Sequence, residues 1–139
     1  MVERIEGGVT APEGFTAAGV ACGIKASGLD LALLVATPAA RAAGIFTTNL
    51  AVAAPVVVTK EHLRRSEGRT KAVVVNSGCA NACTGPSGLE VARSMADATA
   101  QIVGCPPEQV LVSSTGVIGA PLDAAKIKAG VDSAARSLG

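Results

Sequence analysis

Aromatic side chains are almost missing from this sequence. Its 139 residues include no Trp and no Tyr, and Phe15 and Phe46 are the only aromatic residues. Base stacking on aromatic side chains, a common way to hold single-stranded nucleic acid, is therefore not available as a main binding mode. The core has to be built from Ala, Val, Leu and Ile, each of which buries less surface than an aromatic ring. Such a core is compatible with a partner chain that covers part of the surface.

A concentrated positive charge is also missing. The formal net charge is +1, and the densest basic segment, residues 60–71, is interrupted by Glu61 and Glu67. A solvated helix and loop explain that segment better than a phosphate-binding surface does. We therefore predict that nucleic acid is not a partner.

Long hydrophobic runs are absent as well. The longest apolar stretch, residues 50–58, is too short to cross a bilayer and contains Pro55. Residues 1–6 are charged and lack the apolar segment that an export signal needs. These features predict a cytoplasmic protein without a membrane partner.

Cysteine and histidine are too few, and too irregularly spaced, for a recognisable metal site. Without export features, the four cysteines are better interpreted as free thiols than as a disulfide framework. The sequence has one histidine, His62, and no zinc-ligand spacing. We predict neither a metal nor another cofactor. The cysteines are Cys22, Cys79, Cys83 and Cys105.

The apolar pattern predicts one α/β domain over residues 1–139, with a β-rich N-terminal half followed by strand-loop-helix units. A chain of this length buries about two thirds of its unfolded surface in a single core. Short apolar runs predict strands at residues 17–23, 31–37, 44–48 and 56–59, with a short helix or turn at 60–66. Later patterns predict strands at 72–75 and 109–112, the first buried on both faces, and helices at 88–103 and from Pro121 to the last residue.

Two strand-to-loop junctions contain the polar residues of interest, and we expect them to lie side by side in one sheet. In the second junction, Thr115 and Gly116 follow the strand at 109–112. A hydroxyl and a backbone N–H at a strand end can aim at one oxygen and form an oxyanion hole. The alternative is a tight turn, in which Gly116 supplies a positive φ and Thr115 bonds its own backbone.

The first junction is the loop at residues 76–85, which is rich in hydrogen-bonding groups and glycine. It either lies near a functional site or uses its side chains to satisfy buried backbone groups. A phosphate-binding loop is a weaker interpretation, because there is no G-x-x-x-x-G-K pattern and no lysine in the loop. The residues of interest are Asn76, Ser77, Gly78, Asn81, Thr84 and Gly85.

A nucleophile is not evident. The acidic residues, Asp30 and Glu61 among them, fall where solvated helix faces or turns are expected, and His62 supports no hydrolytic triad. The sequence therefore supplies hydrogen-bond donors without a group that would attack a substrate.

The first loop, the Ser114-Thr115-Gly116 segment and residues 7–15 together resemble the bifunctional ornithine acetyltransferase family of arginine biosynthesis, over nearly the whole chain. The resemblance implies a layered α/β sandwich in which α and β chains share sheets. It also implies that Thr115 and Gly116 form the oxyanion hole, through the hydroxyl and the backbone N–H respectively.

The resemblance further implies a self-cleaving precursor. The new N-terminal threonine of the β chain is the nucleophile and its own amine is the base. Acetyl passes from N-acetylornithine to this threonine and then to glutamate; some members also accept acetyl-CoA, and an α2β2 assembly is expected. The family's substrate segments and cleavage junction would follow the last helix and are not in this sequence. We therefore expect a shortened α chain, without a nucleophile of its own and inactive alone.

Three alternatives remain open at this stage. The chain could be a subunit of a related N-terminal-nucleophile aminopeptidase, which passes the acyl group to water. It could be a non-catalytic small-ligand module built on the loop at residues 76–85. It could also be an incomplete gene product with no independent role, whose open surface favours aggregation.

Overall fold

One four-stranded sheet organises the chain. The structure, a computed structural model, describes residues 6–139. The strands are β1 (Phe15–Val20), β2 (Leu31–Arg41), β3 (Arg69–Cys79) and β4 (Val110–Val117), in the order β1-β2-β3-β4. The helices are α1 (Ala54–Arg65), α2 (Gly85–Val103) and α3 (Ala124–Ala135), and a 3₁₀ turn spans Pro107–Gln109. The predicted α/β fold is confirmed.

The strand directions follow from the connections. β1, β2 and β3 pair antiparallel, whereas β3 and β4 pair in parallel. Parallel neighbours need a long crossover, and α2 provides it. Most of the charged N-terminal segment lies outside the described residues. Within residues 6–139, no helix has the length and apolar character needed to cross a membrane.

The core lies on one face of the sheet. Ala72 and Val74 of β3 are buried against the helices, but Val73 and Val75 are only half-buried. The expectation that this strand is buried on both faces is therefore wrong for the described part of the chain, because the helices cover one face only. On the opposite face, Leu34 of β2 and Leu111 of β4 pair with Val73, and both leucines are also only half-buried.

Helix α1 corrects two of the sequence predictions. Residues 56–59 were expected to form a strand and residues 60–66 a short helix or turn, but one continuous helix includes 54–65. The β-branched run Val56-Val57-Val58 favours a strand locally. Tertiary contacts override that preference, since Pro55, Val58 and His62 are buried at helical spacing and the proline stands in the first turn.

The remaining boundaries differ in smaller ways. Residues 44–48 form no regular strand, and β1 ends at Val20 rather than at residue 23. The α2 helix matches its prediction and begins three residues earlier. The α3 helix starts at Ala124, because the Asp123 carboxylate accepts N–H bonds from Ala125 and Lys126, and it ends at Ala135, before the last residue.

Asp30 fixes the loop between β1 and β2, although the sequence analysis placed it on a solvated turn. Its side chain is 2 % exposed and accepts the backbone N–H groups of Cys22, Ile24 and Lys25 at 2.6, 2.7 and 2.9 Å. Burial by itself raises the pKa of this carboxyl, but the N–H bonds outweigh burial and lower its pKa to about 2. The ionised form of Asp30 therefore stabilises the fold.

β3 and β4 are in direct backbone contact at a pair of glycines. Gly78 and Gly116 are register partners, and Gly116 has a φ of 127°. A Cβ atom at Gly116 would lie 2.6 Å from the Cys79 nitrogen and 2.7 Å from the Gly78 oxygen. The Gly78–Cys79 peptide therefore occupies the space that any side chain at position 116 would need.

We expect Asp30→Asn to lower the free energy of unfolding by about 2 kcal/mol at pH 7, because the lowered pKa corresponds to a stability term of that size. This contribution of Asp30 to the free energy of unfolding is fully present above the ordinary pKa of 3.8 and is lost as the pH falls toward about 2. The gap between wild type and variant, measured by urea denaturation, should therefore close over that range. Asp123→Asn, at an exposed cap, is the control and should change little. A gap independent of pH would contradict the assignment.

We expect Gly116→Ala to be about 2 to 3 kcal/mol more destabilising than Gly119→Ala, because only the first places a methyl group against backbone. Gly119 is a matched control, since its φ is 78° and nothing lies within 4 Å of a Cβ built on it. Both variants incur the conformational cost of a positive φ, which is larger at 127° than at 78°, so the difference combines that cost with the steric contact. Equal unfolding free energies in urea would show that β4 moves away from β3 without cost.

Candidate functional site

The two predicted junctions lie at the carboxyl ends of β3 and β4. Their first residues are not in loops as predicted, because the two strands keep pairing: β3 includes Asn76, Ser77 and Gly78, and β4 includes Thr115 and Gly116. The ladder pairs Ser77 with Thr115 and Gly78 with Gly116. The expectation that the junctions lie side by side in one sheet is confirmed. Carboxyl ends of parallel strands are a common place for ligands in α/β folds, because the loops there converge.

The two loops are joined by hydrogen bonds beyond the ladder. The Ala80 N–H donates to the Val117 carbonyl at 2.9 Å, and the Gly119 N–H donates to the Ala82 carbonyl at 2.9 Å. The Cys79 thiol also contacts the Ala120 carbonyl at 3.2 Å. The segment after β3 and the segment after β4 therefore hold each other in place.

The orientation of Gly116 follows from the alternation of the ladder. The Thr59 hydroxyl bonds both the carbonyl and the N–H of Val112, at 2.7 and 2.9 Å, so these Val112 groups face away from β3. The Val117 carbonyl faces β3, where Ala80 binds it. Alternate residues of a parallel strand turn their backbone groups to opposite sides. The N–H of Gly116 is thus directed toward the free edge of β4.

The Thr115 and Gly116 pair is open to solvent. Both residues are exposed, and the next two, Val117 and Ile118, are 62 % and 68 % exposed. The alternation of buried and exposed residues puts the Thr115 side chain on the sheet face opposite Val112, on the face that the helices leave uncovered. The described part of the chain therefore supplies at most one wall of a cleft at this position.

Three polar residues of the first loop are occupied by internal hydrogen bonds. Asn76 is fully buried, and its Nδ2 donates to the Cys79 carbonyl at 2.9 Å. Asn81 has a φ of 47°, donates through Nδ2 to the Gly88 carbonyl at 2.9 Å and accepts the Thr84 hydroxyl at 2.8 Å. For Asn81 and Thr84, the structure therefore has the arrangement in which these side chains satisfy a crowded loop, whereas Asn76 satisfies the backbone through Nδ2 only and its buried Oδ1 has no hydrogen-bond partner in the described part of the chain.

The other loop residues shape the backbone around these contacts. The Ser77 N–H donates to the Asp30 carbonyl at 2.8 Å, which ties the loop to the start of β2. Gly78 leaves room for the Lys25 side chain, whose Cγ would lie 2.7 Å from a Cβ at that position. Gly85 has a φ of 63° and begins α2. Thr84 precedes the helix without capping it through its side chain.

Two further titratable groups lie elsewhere or are poorly suited to attack a substrate. His62 is buried, with Nδ1 2.8 Å from the Val110 carbonyl, and Val110 is roughly 17 Å along β4 from Thr115 at the usual rise per residue. Burial, followed by the hydrogen bond and charge of Asp30, raises the pKa of Cys22 to about 11, which disfavours the thiolate. All four cysteines are free. Within residues 6–139, no three His, Cys, Asp or Glu side chains group as metal ligands would.

Asp30 is the residue near this site that sequence reasoning missed. An acidic residue that follows a glycine-containing loop and immediately precedes an apolar strand is a usable signal for a loop anchor, since carboxylates bond nearby backbone N–H groups. A separate groove of about 360 Å³ lies beside α1, between Phe46 and Val57. It contains none of the predicted site residues.

Known proteins resemble this chain in sequence and in fold. The model of the ArgJ family matches residues 16–139. The arginine biosynthesis bifunctional protein ArgJ of Caldanaerobacter subterraneus is 47 % identical over 137 residues, and that of Symbiobacterium thermophilum is 49 % identical over 140; each match covers 99 % of this chain and 34 % of the relative. The chain thus spans about a third of the length of these relatives.

Two solved structures share the fold. The crystal structure of ArgJ from Bacillus halodurans has a TM-score of 0.86 at 42 % identity, covering 90 % of this chain and 65 % of that chain. Ornithine acetyltransferase of Mycobacterium tuberculosis, crystallised with ornithine, has a TM-score of 0.90 at 47 % identity, covering 95 % and 71 %. Since the family model matches most of the sequence and the relatives are nearly half identical across almost all of it, this chain belongs to the ArgJ family.

Proposed function

We propose that residues 1–139 form a single domain, the α-chain portion of an acetyltransferase that moves acetyl from N-acetylornithine to glutamate. The observation that carries the proposal is the pair of exposed donors at Thr115 and Gly116, held at the free edge of β4 by the joined loops. Family membership supplies the reaction class, and the pair supplies a role for this chain in it.

The proposed chemistry is acyl transfer through a threonine on a separate β chain. The threonine Oγ attacks the acetyl carbonyl of N-acetylornithine while the β-chain amine takes the hydroxyl proton. The carbonyl oxygen becomes an oxyanion, which accepts hydrogen bonds from the Thr115 hydroxyl and the Gly116 N–H. Ornithine leaves with the proton, and the amine of glutamate then attacks the acetyl-threonine by the same route. Both tetrahedral intermediates use the same two donors.

The need for a β chain is supported by what surrounds the donors. Thr115 and Gly116 are exposed, whereas an oxyanion hole works best where water is excluded. The half-buried apolar face of the sheet, beside Thr115, also favours coverage by further polypeptide. We propose a β chain with an N-terminal threonine as that covering element, in a cytoplasmic α2β2 assembly. Free thiols are typical of that compartment.

The central test uses a chimera in which this chain replaces the matching third of Symbiobacterium thermophilum ArgJ. We expect Thr115→Ala in this chimera to lower kcat by about 10²- to 10³-fold, the usual cost of losing one oxyanion donor. Thr115→Ser retains the hydroxyl and is the matched control, with kcat close to that of the parent chimera. The measurement is acetylglutamate formed from N-acetylornithine and glutamate. Equal rates for the Ala and Ser variants would remove Thr115 from the mechanism.

The second test concerns the chain by itself. We expect purified residues 1–139 to give no acetyl transfer from N-acetylornithine or acetyl-CoA, because the chain supplies donors without the attacking threonine. The chimera, assayed in parallel, is the positive control. Glutamate-dependent turnover by the isolated chain would refute the need for a β chain, and release of acetate to water by the chimera would favour a hydrolase instead.

A further inference from the structure

Asn76 is fully buried at the end of β3, two residues before the peptide that Gly116 contacts. Its Nδ2 donates to the Cys79 carbonyl at 2.9 Å, which closes a local loop around the intervening residues. A buried amide in this position helps to determine the backbone path, because the buried carbonyl it binds would otherwise lose this hydrogen bond.

Gly116 packs against the backbone of residues 76–79, the segment that this hydrogen bond closes. A Cβ at Gly116 would collide with atoms of the Gly78–Cys79 peptide, so the Gly116 backbone and that peptide are in direct contact. The Asn76 bond is made to the carbonyl of Cys79, the residue whose nitrogen belongs to the same peptide. A change in the path of residues 76–79 would therefore displace Gly116 directly.

The other links between the loops are attached after this point. Ala80 binds the Val117 carbonyl and Gly119 binds the Ala82 carbonyl, so both bonds depend on where the chain leaves Cys79. Tightly packed backbone transmits small shifts, since it has no free volume to absorb them. A shift in the path of residues 76–79 would therefore reach the segment after Gly116 through these two bonds as well.

We propose that Asn76 is a positioning residue for the oxyanion hole: its amide binds the Cys79 carbonyl and so fixes the backbone path of residues 76–79, and the Gly78–Cys79 peptide within that path sets the position of Gly116 and the direction of its N–H. The inference rests on the proposed function of Thr115 and Gly116. Asn76 does not touch substrate in this arrangement. Its contribution is geometric, and a donor displaced by about 1 Å loses much of its effect on the transition state.

The experiment compares Asn76→Ala and Asn76→Leu in the same ArgJ chimera. Both substitutions remove the Nδ2 donor, the first by deleting the amide and the second by replacing it with an apolar group of similar shape that carries no charge and no donor. Each sample is assayed for the burst of ornithine release, which counts assembled sites that form acetyl-threonine, and then for steady-state transfer. Dividing the rate by the burst amplitude removes the effect of unfolded protein.

The matched control is Thr70→Val. Thr70 lies on the same strand and the same face as Asn76, toward its other end, and its hydroxyl is buried without a hydrogen-bond partner in the described part of the chain. Removing this hydroxyl changes a buried polar group of β3 without touching the Gly78–Cys79 peptide. We expect its kcat per burst site to equal that of the parent.

For both Asn76 variants we expect kcat per burst site to fall by about 10- to 100-fold while KM for N-acetylornithine changes little, because the loss is confined to the transition state. A kcat per site within about twofold of the parent in either variant would overturn the inference. So would the loss of folded, assembled protein in both, measured by circular dichroism and size-exclusion chromatography, which would make Asn76 a folding residue only. If the parent chimera itself transfers no acetyl group, the proposed function fails instead. If Thr115→Ala abolishes transfer and the Asn76 variants do not, only the positioning role fails.

Discussion

The parallel contact between β3 and β4 at their carboxyl ends is the constraint on which the site depends. Gly116 packs directly on the Gly78–Cys79 peptide, and two backbone hydrogen bonds join the following loops. Joined, they form a rigid edge from which the Thr115 hydroxyl and the Gly116 N–H project. Side chains at the glycine positions would separate the strands and remove that rigidity.

Hydrogen bonds from two neighbouring parts of the structure support this contact. Asp30 accepts three N–H groups of the preceding loop and also offers its backbone carbonyl to Ser77, so the β1–β2 connection supports the end of β3. From the other side, Thr59 of α1 occupies the outward backbone groups of Val112. The free edge of β4 is thereby covered up to Val112 and left open beyond it, at the residues proposed to act on substrate.

The differences between expectation and structure have physical causes that belong to particular residues. Val56-Val57-Val58 favours a strand by local preference, yet the helix forms because Val58 and His62 can then be buried on one side while Thr59 reaches β4. Asp30 was assigned to solvent because acidic residues are seldom buried without partners. Its partners are backbone N–H groups. Nearly every residue type has one, so the sequence does not indicate which of them Asp30 binds. Asn76 and Asn81 were recognised as important, but the bonds that occupy them depend on loop geometry.

The sequence by itself determined the α/β class, the α2 helix with its buried stripe, the two strand-to-loop junctions and the family, because each is written in local periodicity or in a continuous motif. Tertiary structure alone decided which junctions contact each other and which way the Gly116 N–H points. It also decided that α1 is a helix and that Asp30 holds the loop before β2. Those outcomes depend on contacts between residues far apart along the chain, such as Thr59 with Val112 or Gly78 with Gly116, whose energies no local pattern encodes.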